Sequence, residues 1–174
     1  MKLINTVRLS AFVAVVAVAS AALAQSGSQK YTVVVPSSLT ITAPADVSLT
    51  HDESDNDQAF PAQQWVVKGN SLNGVSVSFA TSQAFKHTTE PTYKRDLTLG
   101  LAVASSNGPA TWNVTQASDT TDYVGSDEVA TVAASSNGVG RATFDLSVTF
   151  ITDSFGTFAA GSYETTVVGT LTAN

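Results

Sequence analysis

Apolar residues alternate with polar ones along most of this chain, and the alternation defines its elements. In Gly161–Asn174, Tyr163, Thr165, Val167, Gly169 and Leu171 share one face of an extended chain. Glu164, Thr166, Val168, Thr170 and Thr172 share the other, which predicts a terminal strand with one buried and one wet side, held centrally in a sheet. Ala142, Phe144, Leu146, Val148 and Phe150 alternate in the same way over Arg141–Phe150, as do Leu97, Leu99, Leu101 and Val103. Trp65 and Val67 in Gln63–Lys68 are followed by Gly69-Asn70-Ser71-Leu72-Asn73-Gly74 and then by Val75, Val77 and Phe79. That order predicts a hairpin. Two further hairpins are expected at Ser105-Ser106-Asn107-Gly108 and Ser135-Ser136-Asn137-Gly138, where Asn-Gly favours the positive φ angles of tight turns. Near the start, Tyr31, Val33 and Val35 alternate up to Pro36, and Leu39 and Ile41 alternate after it. This predicts an edge strand that breaks at the proline, since proline gives a ladder no donor.

No stretch after residue 24 shows a sustained helical period. The expectation is an all-β chain folded as an immunoglobulin-like antiparallel β-sandwich of roughly 8–10 strands. Trp65 and Trp112, each alternating with valine, are expected in the core between the sheets.

The first 24 residues break the pattern. Lys2 and Arg8 precede an apolar run, Ala11–Ala22, that ends in Ala22-Leu23-Ala24. Positive start, apolar middle and small-x-small end are the features of a cleaved export signal, residues 1–24, with the β-sandwich domain over 25–174. The run is shorter than the ~20 residues of a bilayer span. The expected location is therefore secreted, periplasmic or on the cell surface, with no membrane insertion once the signal is removed. The chain has no cysteine, so neither a disulfide nor a lipid anchor on cysteine is available.

Charge narrows the partners. The formal net charge is −6, from 8 basic and 14 acidic residues, and losing Lys2 and Arg8 makes the remainder more acidic. Nucleic acid and anionic membranes both attract basic surfaces, so neither is an expected partner. Protein or glycan partners at the cell surface, and self-assembly, are compatible with the composition.

The sharpest polar cluster is Asp52-Glu53-Ser54-Asp55-Asn56-Asp57. Alternating oxygen donors suit a hard cation, which makes Asp52, Asp55 and Asp57 candidate calcium ligands. The glycine and closing glutamate of an EF-hand loop are missing, and the competing reading is a solvated acidic loop. Nucleophilic catalysis finds no Cys and no Gly-x-Ser-x-Gly elbow, and His51 and His87 both fall in expected loops. The chain is read as a non-enzyme, with no cofactor expected beyond that calcium.

Several segments carry a resemblance: Val35–Ile41 (Val-Pro-Ser-Ser-Leu-Thr-Ile), the Trp65 segment, Trp112-Asn113-Val114 and Ala160–Tyr163 (Ala-Gly-Ser-Tyr). With the export signal, they resemble the small secreted β-sandwich proteins of bacterial surfaces: fimbrial subunits, spore-coat-type proteins and cell-wall-associated sandwich domains. The resemblance implies an exported structural or adhesion-type protein without catalysis. The alternative is a calcium- or carbohydrate-binding β-sandwich module.

Overall fold

The computed structural model describes residues 25–174, so the expected export signal lies outside the described residues. The chain divides into Met1–Val34 and Val35–Asn174, and every strand below belongs to the second unit. In the first unit, Gln25–Val34 are exposed and form no strand.

Among the described residues there are thirteen strands and no helix. In order they are β1 (Leu39–Thr42), β2 (Gln58–Ala59), β3 (Gln63–Gly69), β4 (Val75–Thr81), β5 (Phe85–His87), β6 (Lys94–Arg95) and β7 (Leu97–Asn107). The others are β8 (Trp112–Gln116), β9 (Ser118–Thr120), β10 (Thr131–Ser136), β11 (Gly140–Phe150), β12 (Tyr163–Glu164) and β13 (Val167–Ala173). Thirteen exceeds the expected number because the connections contribute strands of two or three residues; eight strands have four or more. All pairings are antiparallel, and the fold is a β-sandwich. One sheet runs β1-β3-β11-β7-β9, with β2 also on β11; the other runs β13-β4-β10-β8; a small sheet, β12-β5-β6, is built from connections.

The alternation places the core. Val67, Phe144, Leu99 and Leu97 from the first sheet meet Val75, Val77, Phe79 and Val132 from the second, all essentially without solvent contact. Phe79 crosses the gap to both Trp65 (ring centroids 5.1 Å apart) and Phe144 (6.1 Å), and Trp112 meets Phe144 at 5.5 Å. Both tryptophans are buried in this core as the sequence predicts. Steep interplanar angles, 66° and 79° for the two tryptophan pairs, set positive ring edges against negative faces.

The three expected hairpins are not hairpins. β3 lies in the first sheet and β4 in the second; β7 and β8 divide in the same way, and so do β10 and β11. Each turn is an arch from sheet to sheet. Two successive half-apolar strands can bury their faces by lying in opposite layers as well as by lying side by side, and alternation alone does not distinguish the two. The asparagines of these arches act through their side chains. Asn137 Oδ1 accepts from Thr111 N–H (2.8 Å), tying two arches together. Asn70 Oδ1 accepts from Ser38 N–H (2.7 Å), and Asn70 Nδ2 donates to Pro36 O (2.8 Å), fixing the entry to β1. Neither asparagine has a positive φ.

Two expectations about the chain ends are corrected. The stretch before Pro36 forms no strand, and pairing begins only at Leu39. The terminal segment is not one central strand: Tyr163–Glu164 pairs with β5, while Val167–Ala173 pairs with β4 alone and forms the edge of its sheet. Between them the chain is held by Thr165 Oγ1 donating to Gln83 O (2.7 Å) and Ser82 N–H donating to Thr166 O (2.8 Å). The alternation itself is as read, with Val167, Gly169 and Leu171 half-buried and Val168, Thr170 and Thr172 exposed. The central strand of the fold is β11, eleven residues long and flanked by β3 and β7.

Candidate functional site

The acidic loop at the β2 end of the sandwich spends its oxygens on protein donors. Asp52 Oδ1 accepts from Ser54 Oγ (2.6 Å), Ser54 N–H (3.0 Å) and Gln58 Nε2 (2.8 Å). The Ser54 hydroxyl, then its N–H, hold the Asp52 carboxyl below the ordinary carboxylate range. Asp55 Oδ1 accepts from Phe155 N–H (2.7 Å) and Asp57 Oδ1 from Thr152 N–H (3.0 Å). Asp55 and Asp57 thus reach outward to the chain after β11, while Asp52 folds its own loop. Among the described residues, no group of three or more His, Cys, Asp or Glu side chains could hold a metal ion. The arrangement is a clasp: carboxylates satisfy the backbone donors of a loop that has no ladder to join.

Thr152 is the centre of this clasp and is fully buried. Its Oγ1 donates to Asn56 O (2.7 Å), so the contact with His51 Nε2 (2.9 Å) must be donated by the imidazole. His51 Nδ1 accepts from Glu53 N–H (3.0 Å), which gives the same tautomer. The ring also stacks on Phe155 at 5.5 Å.

His87 is not in a loop, as the sequence reading had it, but in β5 and buried. Its Nδ1 accepts from Thr89 N–H (3.2 Å) and Glu90 N–H (3.0 Å), leaving Nε2 to donate to Ala160 O (3.2 Å). Arg95, also buried, lies with its guanidinium 4.5 Å from the centre of the Phe158 ring. It donates to Thr157 Oγ1 and stands 3.8 Å from an Asp153 carboxylate oxygen, while its Nε has no partner. A hollow of about 270 Å³ is lined by Arg95, Asp96, Tyr123, Val124, Ile151 and Asp153. Both histidines direct their ring nitrogens at structural partners, and the Thr152 hydroxyl beside His51 Nε2 is itself donated to Asn56 O. Nothing in the sequence marked Arg95, because its burial depends on a loop sixty residues away.

The sheet edges differ from one another. On one side a single chain passes from β8 to β9 and switches sheets at Ala117, whose carbonyl accepts from Leu101 N–H (2.8 Å). β8 and β9 are the last strands of their sheets on that side. On the other side β1 and β13 end their sheets facing each other. A Cβ placed on Gly169 would stand 2.5 Å from Ile41 Cδ1, so the β1 side chain fills the space over the glycine. The outer backbone of β13 has no described partner. Its sequence, Val-Val-Gly-Thr-Leu-Thr-Ala, contains none of the charges or prolines that usually guard an edge.

Comparison with protein-family models, with curated proteins and with solved structures returns no match for this chain.

Proposed function

We propose that this chain is an exported structural or adhesion-type protein of the bacterial cell surface, non-catalytic, with the immunoglobulin-like kind of sandwich common in that role. The observation that carries the reading is the unguarded β13 edge: seven uncharged residues with an open backbone on an acidic, disulfide-free β-sandwich. Strand edges of this kind bind protein segments through main-chain hydrogen bonds. The hydrogen-bonded histidines and the clasped acidic loop support a structural use of residues that could otherwise have served chemistry. Protease added to intact cells tests the location. Loss of the full-length band, while a cytoplasmic marker survives, is the expected result; protection until the cells are lysed would defeat the proposal.

The hollow beside Arg95 favours a second reading, a carbohydrate-binding module. Tyr123, Asp96 and Asp153 offer a ring face and hydroxyl acceptors next to the guanidinium. Binding of a glycan that is abolished by Tyr123→Ala, with the fold intact, would decide for it.

A further inference from the structure

We infer that Asn107 is a site of spontaneous covalent modification, at which the chain converts its own side-chain amide to a carboxylate. The sequence holds three Asn-Gly pairs: Asn73-Gly74, Asn107-Gly108 and Asn137-Gly138. In such a pair the glycine amide nitrogen attacks the asparagine side-chain carbonyl carbon, because no Cβ stands in the way. The nitrogen loses its proton as it bonds to Cγ, and the side-chain nitrogen takes up a proton and leaves as ammonia. Water then opens the cyclic imide at either carbonyl, giving aspartate or the isomer whose main chain runs through the side-chain carbon. Water is the only co-reactant.

The fold separates three pairs whose local chemistry is the same. At Asn73 the attacking group is spent: Gly74 is buried, and its N–H donates to Ser71 O (3.1 Å). At Asn137 the carbonyl is held instead. Its Oδ1 accepts from Thr111 N–H (2.8 Å), and turning that amide onto Gly138 breaks the bond. Asn107 carries neither restraint. Among the described residues, neither its side chain nor the Gly108 N–H has a hydrogen-bond partner, and both residues are exposed to the water that opens the imide. Asn107 also ends its ladder. Only three pairs with β11 lie beyond the register shift at Thr143/Phe144, so this end opens more readily than the rest of β7.

The surroundings favour both the reaction and its product. Asn107 faces Arg141 across the ladder, and the two line a hollow of about 510 Å³ with Ser105, Ser106 and Thr143. A guanidinium beside the attacked carbonyl stabilises the negative charge that builds on its oxygen. On its other side Arg141 faces Lys68 of β3, and neither cation is ion-paired among the described residues. Like charges directly opposite each other destabilise a sheet. A carboxylate at position 107 supplies the counter-charge that this row lacks.

The test is to age freshly recovered protein in mildly alkaline buffer, either folded or in urea. Its peptides are then analysed by mass and by isoaspartate methylation. In the folded protein Asn107 should convert first, with Asn73 and Asn137 at least about tenfold slower because they wait on local opening. In urea the three rates should draw together. Arg141→Gln, with an unchanged urea midpoint, should slow Asn107 several-fold in the folded protein and leave its rate in urea alone. An intact Asn107, or equal rates for the three sites in the folded protein, overturns the inference. A lead for Asn107 that persists undiminished in urea does so too, since it would belong to the flanking sequence. An Arg141→Gln rate equal to that of the natural protein overturns the part given to the guanidinium. The conversion needs no partner and no enzyme, so it holds whether or not the chain sits at a cell surface.

Discussion

Gly161 lies directly beneath the imidazole of His87: a Cβ on the glycine would stand 2.1 Å from Nε2. Its φ of +149° is one that side chains rarely adopt, so contact and backbone both demand glycine. Gly161→Ala should therefore destabilise the protein by about 2–4 kcal/mol, adding displacement of a buried ring to backbone strain. Gly156 separates the two effects, since its φ is +86° but a Cβ there would meet nothing within 4 Å. Gly156→Ala should lose only about 1–2 kcal/mol. Equal losses in urea denaturation would show that His87 moves aside freely.

Thr152→Val keeps the shape of a fully buried side chain and removes its hydroxyl. Asn56 O and His51 Nε2 both lose a partner, for an expected loss of about 1–3 kcal/mol. Because the clasp joins two loops, proteolytic nicking of residues 51–57 should rise in the variant. An unaltered melting curve would mean that water replaces the hydroxyl.

Calcium should leave the melting temperature unchanged relative to chelator, because Asp52, Asp55 and Asp57 already accept protein hydrogen bonds. A ligand that binds only the native state would raise it. A clear rise would return the loop to the cation reading.

The phenol of Tyr163 titrates above its ordinary value near 10, first because it is desolvated; the Arg95 charge opposes the shift. Above pH 10 the unfolded chain therefore releases this proton more readily than the folded one. The stability tied to Tyr163 is complete below that pH and falls as pH rises through the folded value. Urea midpoints from pH 8 to 11.5 should fall more steeply for the natural protein than for Tyr163→Phe. Parallel curves would mean that the phenol stays solvated.

Position in the sheets should rank core truncations. Phe144→Ala, in the central strand β11, should lose about 3–5 kcal/mol. Leu171→Ala, half-buried on the edge strand, should lose about 1–2 kcal/mol, and Thr170→Ala on its wet face no more than about 0.5. A Leu171 loss as large as that of Phe144 would make β13 a core strand.

What was legible in the sequence is what period two encodes. The inward faces of β11, β7 and β4, the buried tryptophans and the absence of helix among the described residues all follow from it, because alternation reports directly which side of a strand meets the core. Partner identity does not follow from it. Trp65 and Phe79 look the same whether their strands pair or face each other, so arches passed for hairpins. The terminal strand read as central because its apolar face is real; its edge position depends on which strand lies beyond it, and sequence spacing holds no record of that. The buried state of His87 was missed for a similar reason, since its cover, Ala160 and Gly161, arrives from far along the chain. The acidic loop showed its oxygens but not their donors, the backbone amides of Thr152 and Phe155.

The arches also govern the order of events during folding. Since β3 and β4, β7 and β8, and β10 and β11 divide between layers, none of these neighbours in sequence can zip together locally. Trp65 waits for Phe144, and Phe79 waits for Val132 and then Gly169. Chains dominated by such distant pairings fold in milliseconds to seconds rather than microseconds. A chain emerging from its N-terminus thus completes only the short β1–β3, β5–β6 and β7–β9 pairs until Thr131–Ser136 has followed, and the longest ladder waits for Gly140–Phe150. Until then most of its strands lack their partners, and a chain in that state enters a narrow passage with little ordered structure to undo.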